Sequence, residues 1–396
     1  MLIVFAPFAA GYFLSFFYRN VNAVISRDLA REFELTASDL GFLTSMYLLA
    51  FAAFQLPLGV LLDRYGPRRV VAALFCVAAA GAATFALAQD FVMLSVGRAL
   101  IGLGVSAGLM GAIKAFTLWF PLERLASLNG LFLAAGGIGG LAATAPAEAL
   151  VGPLGWRVLF VALAALSLAA ALAISTLVPE RPLPGEGKTL RAQFAEFRII
   201  FSRLTFWRIV LPFVVCHAGY LTLQGLWLGP WLYDVAGQQR QAVGNYLFIT
   251  ALAYTFGSIF FGLSSDRLAS AGIPILTMFK LGIAISATAF WLLALGVTQG
   301  LGVLLFVYGF TTISGALAYA LLPPAFPAAM TGRVATASNL LMFTVSFMFQ
   351  WGMGAVLRLY PSADGQYSPQ AYGTALMILG LLQLAVLAWL MPMRQK

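Results

Sequence analysis

Twelve apolar runs, each near the length of a bilayer-crossing helix, follow one another along this chain with only short polar breaks. A membrane-spanning helix needs about 20 such residues. The runs fall at residues 2–26, 40–62, 70–88, 92–118, 125–149, 157–178, 208–231, 242–263, 273–296, 301–322, 335–357 and 371–392. With 61% hydrophobic and 9% charged residues, the composition is not that of a soluble domain, where about 25% are charged. The runs are continuous rather than alternating, which excludes a membrane β-barrel. The expected fold is an all-α polytopic membrane protein with twelve transmembrane helices.

The basic residues set an orientation. The net charge is +9, yet of the 23 Lys and Arg only five (Arg27, Arg31, Arg157, Arg240, Arg358) fall in loops on one side. Four more (Arg19, Arg98, Lys114, Lys280) lie within spans, and the remaining 14 sit on the other side. An excess of Lys and Arg marks the cytoplasmic side, so both termini are expected in the cytoplasm, in a bacterial-type inner membrane. The charge therefore reports topology, and no nucleic-acid partner follows from it. The N-terminus has no basic segment ahead of its first apolar run, so no cleavable signal peptide is expected. Cys76 and Cys216, in the third and seventh spans, read as small buried fillers. Neither a disulfide framework nor a metal or cofactor site follows from them.

The longest hydrophilic interruption, residues 179–208, divides six spans from six. It begins with Pro182, Pro184, Gly185 and Gly187 and continues with amphipathic spacing over Leu190–Phe201. The expected organisation is a six-helix bundle over 1–178, a cytoplasmic linker over 179–208 and a second bundle over 209–396. The halves echo one another. Gly59…Asp63-Arg64 recurs as Gly262…Asp266-Arg267, and Arg124 with Asn129 recurs as Arg333 with Asn339. A duplication at this scale implies two bundles related by an axis along the membrane normal, with a binding site at the repeat interface.

Arg19 lies inside the first apolar run. A guanidinium at membrane depth costs roughly 3 kcal/mol even on the lenient insertion scale. Such a charge is kept where it meets a water-filled cavity or an anion, so Arg19 marks a candidate site. Tyr12, Ser15, Arg19, Asn22 and Ser26 recur at steps of three or four and share one helix face. His217, Tyr220, Gln224, Trp227 and Trp231 repeat that pattern in the seventh span. Cation, amides, hydroxyls and aromatic rings are the groups an enclosed polar site requires. Further candidates are Tyr47, Lys114, Tyr308, Asn339, Phe343 and Gln350. For Lys114 the alternative is a side chain that reaches back to the inner surface. Trp231 also fits an interfacial aromatic belt. His217 is the only histidine, and an imidazole titrates near 6.5 when unperturbed. It joins Glu148 and Asp28 as a candidate for proton coupling, with a structural hydrogen bond as the alternative role.

Gly59-x-x-x-Asp63-Arg64-x-Gly66-x-Arg68-Arg69, after the second span, resembles the signature of the major facilitator superfamily. Arg98-Ala-Leu-Ile-Gly102-Leu-Gly104 is similar to that superfamily's second motif, and Trp119-Phe120-Pro121-x-Glu123-Arg124 and Gly155-Trp156-Arg157 are further family-like segments. The resemblance implies an alternating-access secondary transporter. It assigns Gly59, Asp63, Arg64, Gly66, Arg68 and Arg98, with Asp266 and Arg267 in the second half, to a conformational latch in which Asp63 pairs with an Arg. Gly136-Gly137-Ile-Gly139-Gly140 resembles the antiporter motif, but the Gly-Pro step of drug exporters is absent; tight helix packing explains the small residues equally. Gly11-Tyr12 followed by Tyr18-Arg19-Asn20 resembles the first helix of the organophosphate antiporters and related organic-anion carriers, whose Arg binds the anionic group. Their second Arg, on the seventh helix, has no counterpart in Tyr220-Leu-Thr222-Leu-Gln224. One cation suits a monoanion such as a carboxylate better than a phosphate ester.

The expected function is therefore secondary transport of a small organic anion by a monomer in the lipid bilayer, with proton symport as one mode. A drug or other solute:proton antiporter working as an exporter is the alternative. It would call for an acidic residue deep in the cavity, and the spans show none. No Ser-His-Asp set or metal cluster at membrane depth points to an enzyme.

Overall fold

The computed structural model describes residues 2–180, 197–322, 325–327, 330–363 and 366–393. The side chains at 56, 122, 123, 126, 127, 266, 267, 331, 362 and 363 are outside that description. Most of the expected linker, 181–196, lies outside the described residues, as does most of its amphipathic stretch; 197–201 are helical.

Among the described residues eleven helices are long and apolar enough to cross a membrane, twelve if a bent pair counts as one span. Hydrogen bonding inside each helix is what makes this possible, because lipid offers the backbone no partners. The first span, Leu2–Asn20, passes through Val21 into a shorter helix, Asn22–Glu32. Val21 N–H still donates to the Phe17 carbonyl at 3.0 Å. The second and third spans form one helical path, Ala37–Ala86, interrupted at Gly66 (φ 80°, ψ 159°), where only a residue without Cβ turns without strain. Asp90 caps the fourth span, accepting from Met93 N–H at 2.7 Å.

The fifth apolar run is not one straight helix. Leu128–Ala142 and Ala145–Leu154 meet at a 42° bend. Thr144 Oγ1 donates to the Leu141 carbonyl at 2.6 Å, and Pro146 has no N–H to continue the ladder. Gly155 (φ 80°) then turns the chain into the sixth span, Trp156–Leu177. The seventh span, Leu204–Asp234, is almost wholly buried. It carries a five-residue π-helical segment, Leu223–Trp227. Arg240–Ser270, Ile275–Ala294 and Leu301–Leu321 follow; the last tightens to a 3₁₀ turn at Ile313–Leu317. The eleventh span, Thr331–Leu357, and the twelfth, Pro369–Leu390, are joined through an antiparallel pair of two-residue strands, Ser362–Ala363 and Gln366–Tyr367. No apolar run marks that pair in the sequence.

The chain forms two compact units. One comprises Met1–Glu34 with Phe42–Gln193, the other Leu35–Gly41 with Phe194–Lys396. In the first unit the fifth span's glycines lie against the first span. A Cβ at Gly136 would meet the Tyr12 ring, and one at Gly139 would strike the Phe13 carbonyl. The glycine cluster is thus used for close helix approach. Leu131, Ile138, Val158, Leu172, Leu281, Val303 and Leu381 are exposed. In water so much exposed apolar surface would drive association; in a bilayer it is the lipid-facing coat. Cys76, expected to be buried, is exposed, whereas Cys216 is buried.

Candidate functional site

The first unit holds the arginines of the first and fourth spans, in different surroundings. Arg19 is half-buried, and its guanidinium lies 4.7 Å from the Phe16 ring centre and 5.6 Å from that of Phe51. The quadrupole of an aromatic face attracts such a cation. One turn on, Asn22 Nδ2 donates to Thr44 Oγ1 at 2.9 Å. Its Oδ1 is buried with no hydrogen-bond partner among the described residues. Tyr47 OH donates to the Ser15 carbonyl at 3.2 Å. These groups hold the first and second spans together around Arg19. Phe16 and Phe51 were not legible as site residues, since a Phe in an apolar run carries no signal of its own.

Arg98, by contrast, is fully buried. It donates through Nη1 to the Tyr18 carbonyl at 3.2 Å, and its guanidinium lies between the rings of Tyr47 (5.4 Å) and Phe85 (5.8 Å). It belongs to the packed interior of the first unit. Gly102, one turn along, packs against the Tyr47 backbone.

Asp63, expected in the latch, pairs with Lys114, expected to contact solute. Arg68, also expected in the latch, donates through Nε to the Ser175 carbonyl at 3.0 Å and through Nη2 to the same oxygen. Arg69 pairs with Glu180, and Arg64 lies 5.3 Å from the Tyr65 ring. The fourth-span cation reaches Asp63 because Gly59, Asp63 and Lys114 all lie near the end of the unit formed by the Gly66 turn. The side chains of Asp266 and Arg267, the repeat's counterparts, are outside those described. Asp28 and Glu148 are both half-buried, and the helices that carry them, Asn22–Glu32 and Ala145–Leu154, pack against each other. At that same end Glu32 accepts from Trp156 Nε1 at 2.8 Å and pairs with Arg157 at 2.6 Å, which explains the Gly155-Trp156-Arg157 segment structurally.

The second unit gathers neutral groups. His217 Nε2 and Tyr254 OH are 3.3 Å apart, and Tyr220 stacks on Tyr254 with ring centres at 4.6 Å and planes 14° apart. The Tyr308 ring is 5.9 Å from that of Tyr220, and its hydroxyl is buried without a hydrogen-bond partner among the described residues. Gln224 Nε2 donates to the Leu247 carbonyl at 3.1 Å, leaving Oε1 without one. Trp227 Nε1 donates to the Gln350 carbonyl at 3.0 Å. The Gln350 side-chain amide is 1% exposed and unsatisfied at both ends. Phe343 is buried, and Asn339 Oδ1 accepts from Tyr319 OH at 2.7 Å. The π segment explains how Gln224 and Trp227 are presented. Its wider turn shifts residues beyond 223 relative to the stripe expected from regular α spacing. Trp231 is buried rather than lying at an exposed belt. Among the described residues no group of three or more His, Cys, Asp or Glu could hold a metal ion.

A family model for the Major Facilitator Superfamily matches residues 8–350. A probable sulfoacetate transporter from Cupriavidus necator is 25% identical over 275 residues, covering 65% of this chain and 63% of that protein. A probable L-galactonate transporter from Escherichia coli is 27% identical over 290 residues, covering 69% and 62%. The matched stretches thus span less than two thirds of these relatives' own length. A solved nucleoside transporter superposes with a TM-score of 0.75 at 16% identity, covering 98% of this chain and 99% of that one, and so shares the fold.

Proposed function

Because the chain belongs to the Major Facilitator Superfamily, we propose that it is a secondary transporter of a small organic anion, with Arg19 as the anchoring group. The observation that carries this reading is the guanidinium of Arg19, partly exposed beside Phe16 and Phe51 where Arg98 is fully buried. A guanidinium presents a planar fork of donors that matches a carboxylate or sulfonate. The names of the sulfoacetate and L-galactonate transporters, both concerned with organic anions, support this class.

In this proposal the bound anion is exposed alternately to the two sides of the membrane, while Asp63 and Lys114 break and remake their ion pair. Proton symport is the coupling mode, with His217 and its Tyr254 partner as the titrating pair and Asp28 and Glu148 as further candidates. The exporter alternative drew on the fifth-span glycines. Packing against the first span accounts for Gly136 and Gly139.

Uptake into proteoliposomes tests the assignment. A panel of carboxylates and sulfonates is offered to the wild type, Arg19→Lys and Arg19→Ala. The expected result is uptake of at least one anion by the wild type, reduced in Arg19→Lys and lost in Arg19→Ala. Undiminished uptake by Arg19→Ala removes Arg19 from the site.

A further inference from the structure

The end of the first unit that bears the Gly66 turn holds a cavity of about 380 Å³ that the transport proposal does not use. Arg64, Arg68 and Arg69 line it, together with Tyr65, Trp119 and Glu180. Three guanidiniums face one carboxylate, so the cavity is net positive. Topology alone needs basic residues near the inner ends of spans; it does not require three of them to converge on one hollow.

Arg68 is held by two donors to the Ser175 carbonyl, whereas Arg69, paired with Glu180, and Arg64, beside Tyr65, are exposed and within reach of a ligand. The N–H groups of their guanidiniums suit the oxygens of a phosphate. The other walls are of a different kind. Leu118, Trp119, Val178 and Pro179 line the same cavity, and Tyr65 is 47% exposed at its edge. A basic floor beside apolar and aromatic walls, at the end of membrane-spanning helices, matches a ligand that is itself half phosphate and half hydrocarbon.

We propose that this cavity binds the phosphate headgroup of an anionic membrane lipid. Arg64 and Arg69 meet the phosphate oxygens, Arg68 supplies fixed positive charge, and Trp119 and Val178 cover the first carbons of the lipid. The inference is independent of the substrate anchored at Arg19. Free phosphate shares the headgroup chemistry, and only the apolar walls favour the lipid.

The test uses the full chain, stripped of lipid in a neutral detergent and titrated with phosphatidylglycerol, phosphatidylcholine or inorganic phosphate. Thermal stability is the readout, because only a ligand of the folded state raises it. Native mass spectrometry counts the lipid retained. Phosphatidylglycerol is expected to stabilise the wild type and to remain bound where phosphatidylcholine does not. Each basic residue near an anionic headgroup contributes roughly fivefold, so R64Q is expected to bind phosphatidylglycerol about fivefold more weakly. The R64Q/R69Q double variant is expected to bind it about 25-fold more weakly. R64Q leaves the Arg69–Glu180 pair intact and decides the question if the double variant does not fold. Equal phosphatidylglycerol binding by wild type and R64Q overturns the proposal. So does Arg-dependent stabilisation by inorganic phosphate with none by the lipid, which would make this a site for a soluble phosphate.

Discussion

Arg19 and Arg98 both lie in apolar runs, and a count of charges gives them equal weight. Their surroundings separate them. Arg98 has no exposure, and its Nη1 is committed to the Tyr18 carbonyl, whereas Arg19 keeps some exposure between two rings. The same distinction applies to Lys114, whose ammonium is engaged by Asp63. Each partner is about a third exposed or less, so the pair couples by about 1 kcal/mol. Asp63→Asn and Lys114→Met are each expected to slow transport. Because they break one contact, the double variant should be no slower than the worse single; additive losses in a proteoliposome assay would show that the two residues act separately. His217 carries another prediction at this scale. If it titrates in the cycle, an inward proton gradient accelerates anion uptake by the wild type, and His217→Gln abolishes that acceleration while leaving exchange of the anion intact. An unchanged gradient response in the variant removes His217 from the coupling.

The number and order of the spans were legible in the chain, because apolar length is what a bilayer demands of a helix. Deviations inside a span were not. The bend at Thr144 depends on a hydroxyl bonding back to Leu141, and the π segment at Leu223–Trp227 on one residue more per turn; neither alters the apolar pattern. The partner of Asp63 is Lys114 rather than an Arg, a pairing across 51 positions that no local spacing reveals. The glycines of the fifth span were open to two readings until their neighbours were seen. Gly139 lies against the Phe13 carbonyl, so Gly139→Val overpacks the contact between the first and fifth spans. Such overpacking typically costs about 1–3 kcal/mol. A lower unfolding temperature in detergent is expected, while Gly152→Ala, with nothing within 4 Å of the added carbon, leaves it unchanged. Equal melting of wild type and Gly139→Val would mean that this contact does not constrain the fold.

At the scale of the whole molecule, two compact helical units each carry exposed apolar side chains suited to lipid. Arg19, in the first of them, is the basis for proposing an anion as the solute. The central claim is that Arg19 recognises negative charge, and direct binding to purified protein tests it without the complications of coupling. An organic acid that stabilises the wild type is titrated against Arg19→Gln, alongside the acid's neutral amide. Losing one charge-assisted hydrogen bond costs about 1.5–3 kcal/mol, so the acid should bind Arg19→Gln at least tenfold more weakly, and the amide should bind both proteins alike. Equal affinity of the acid for wild type and Arg19→Gln would contradict the account.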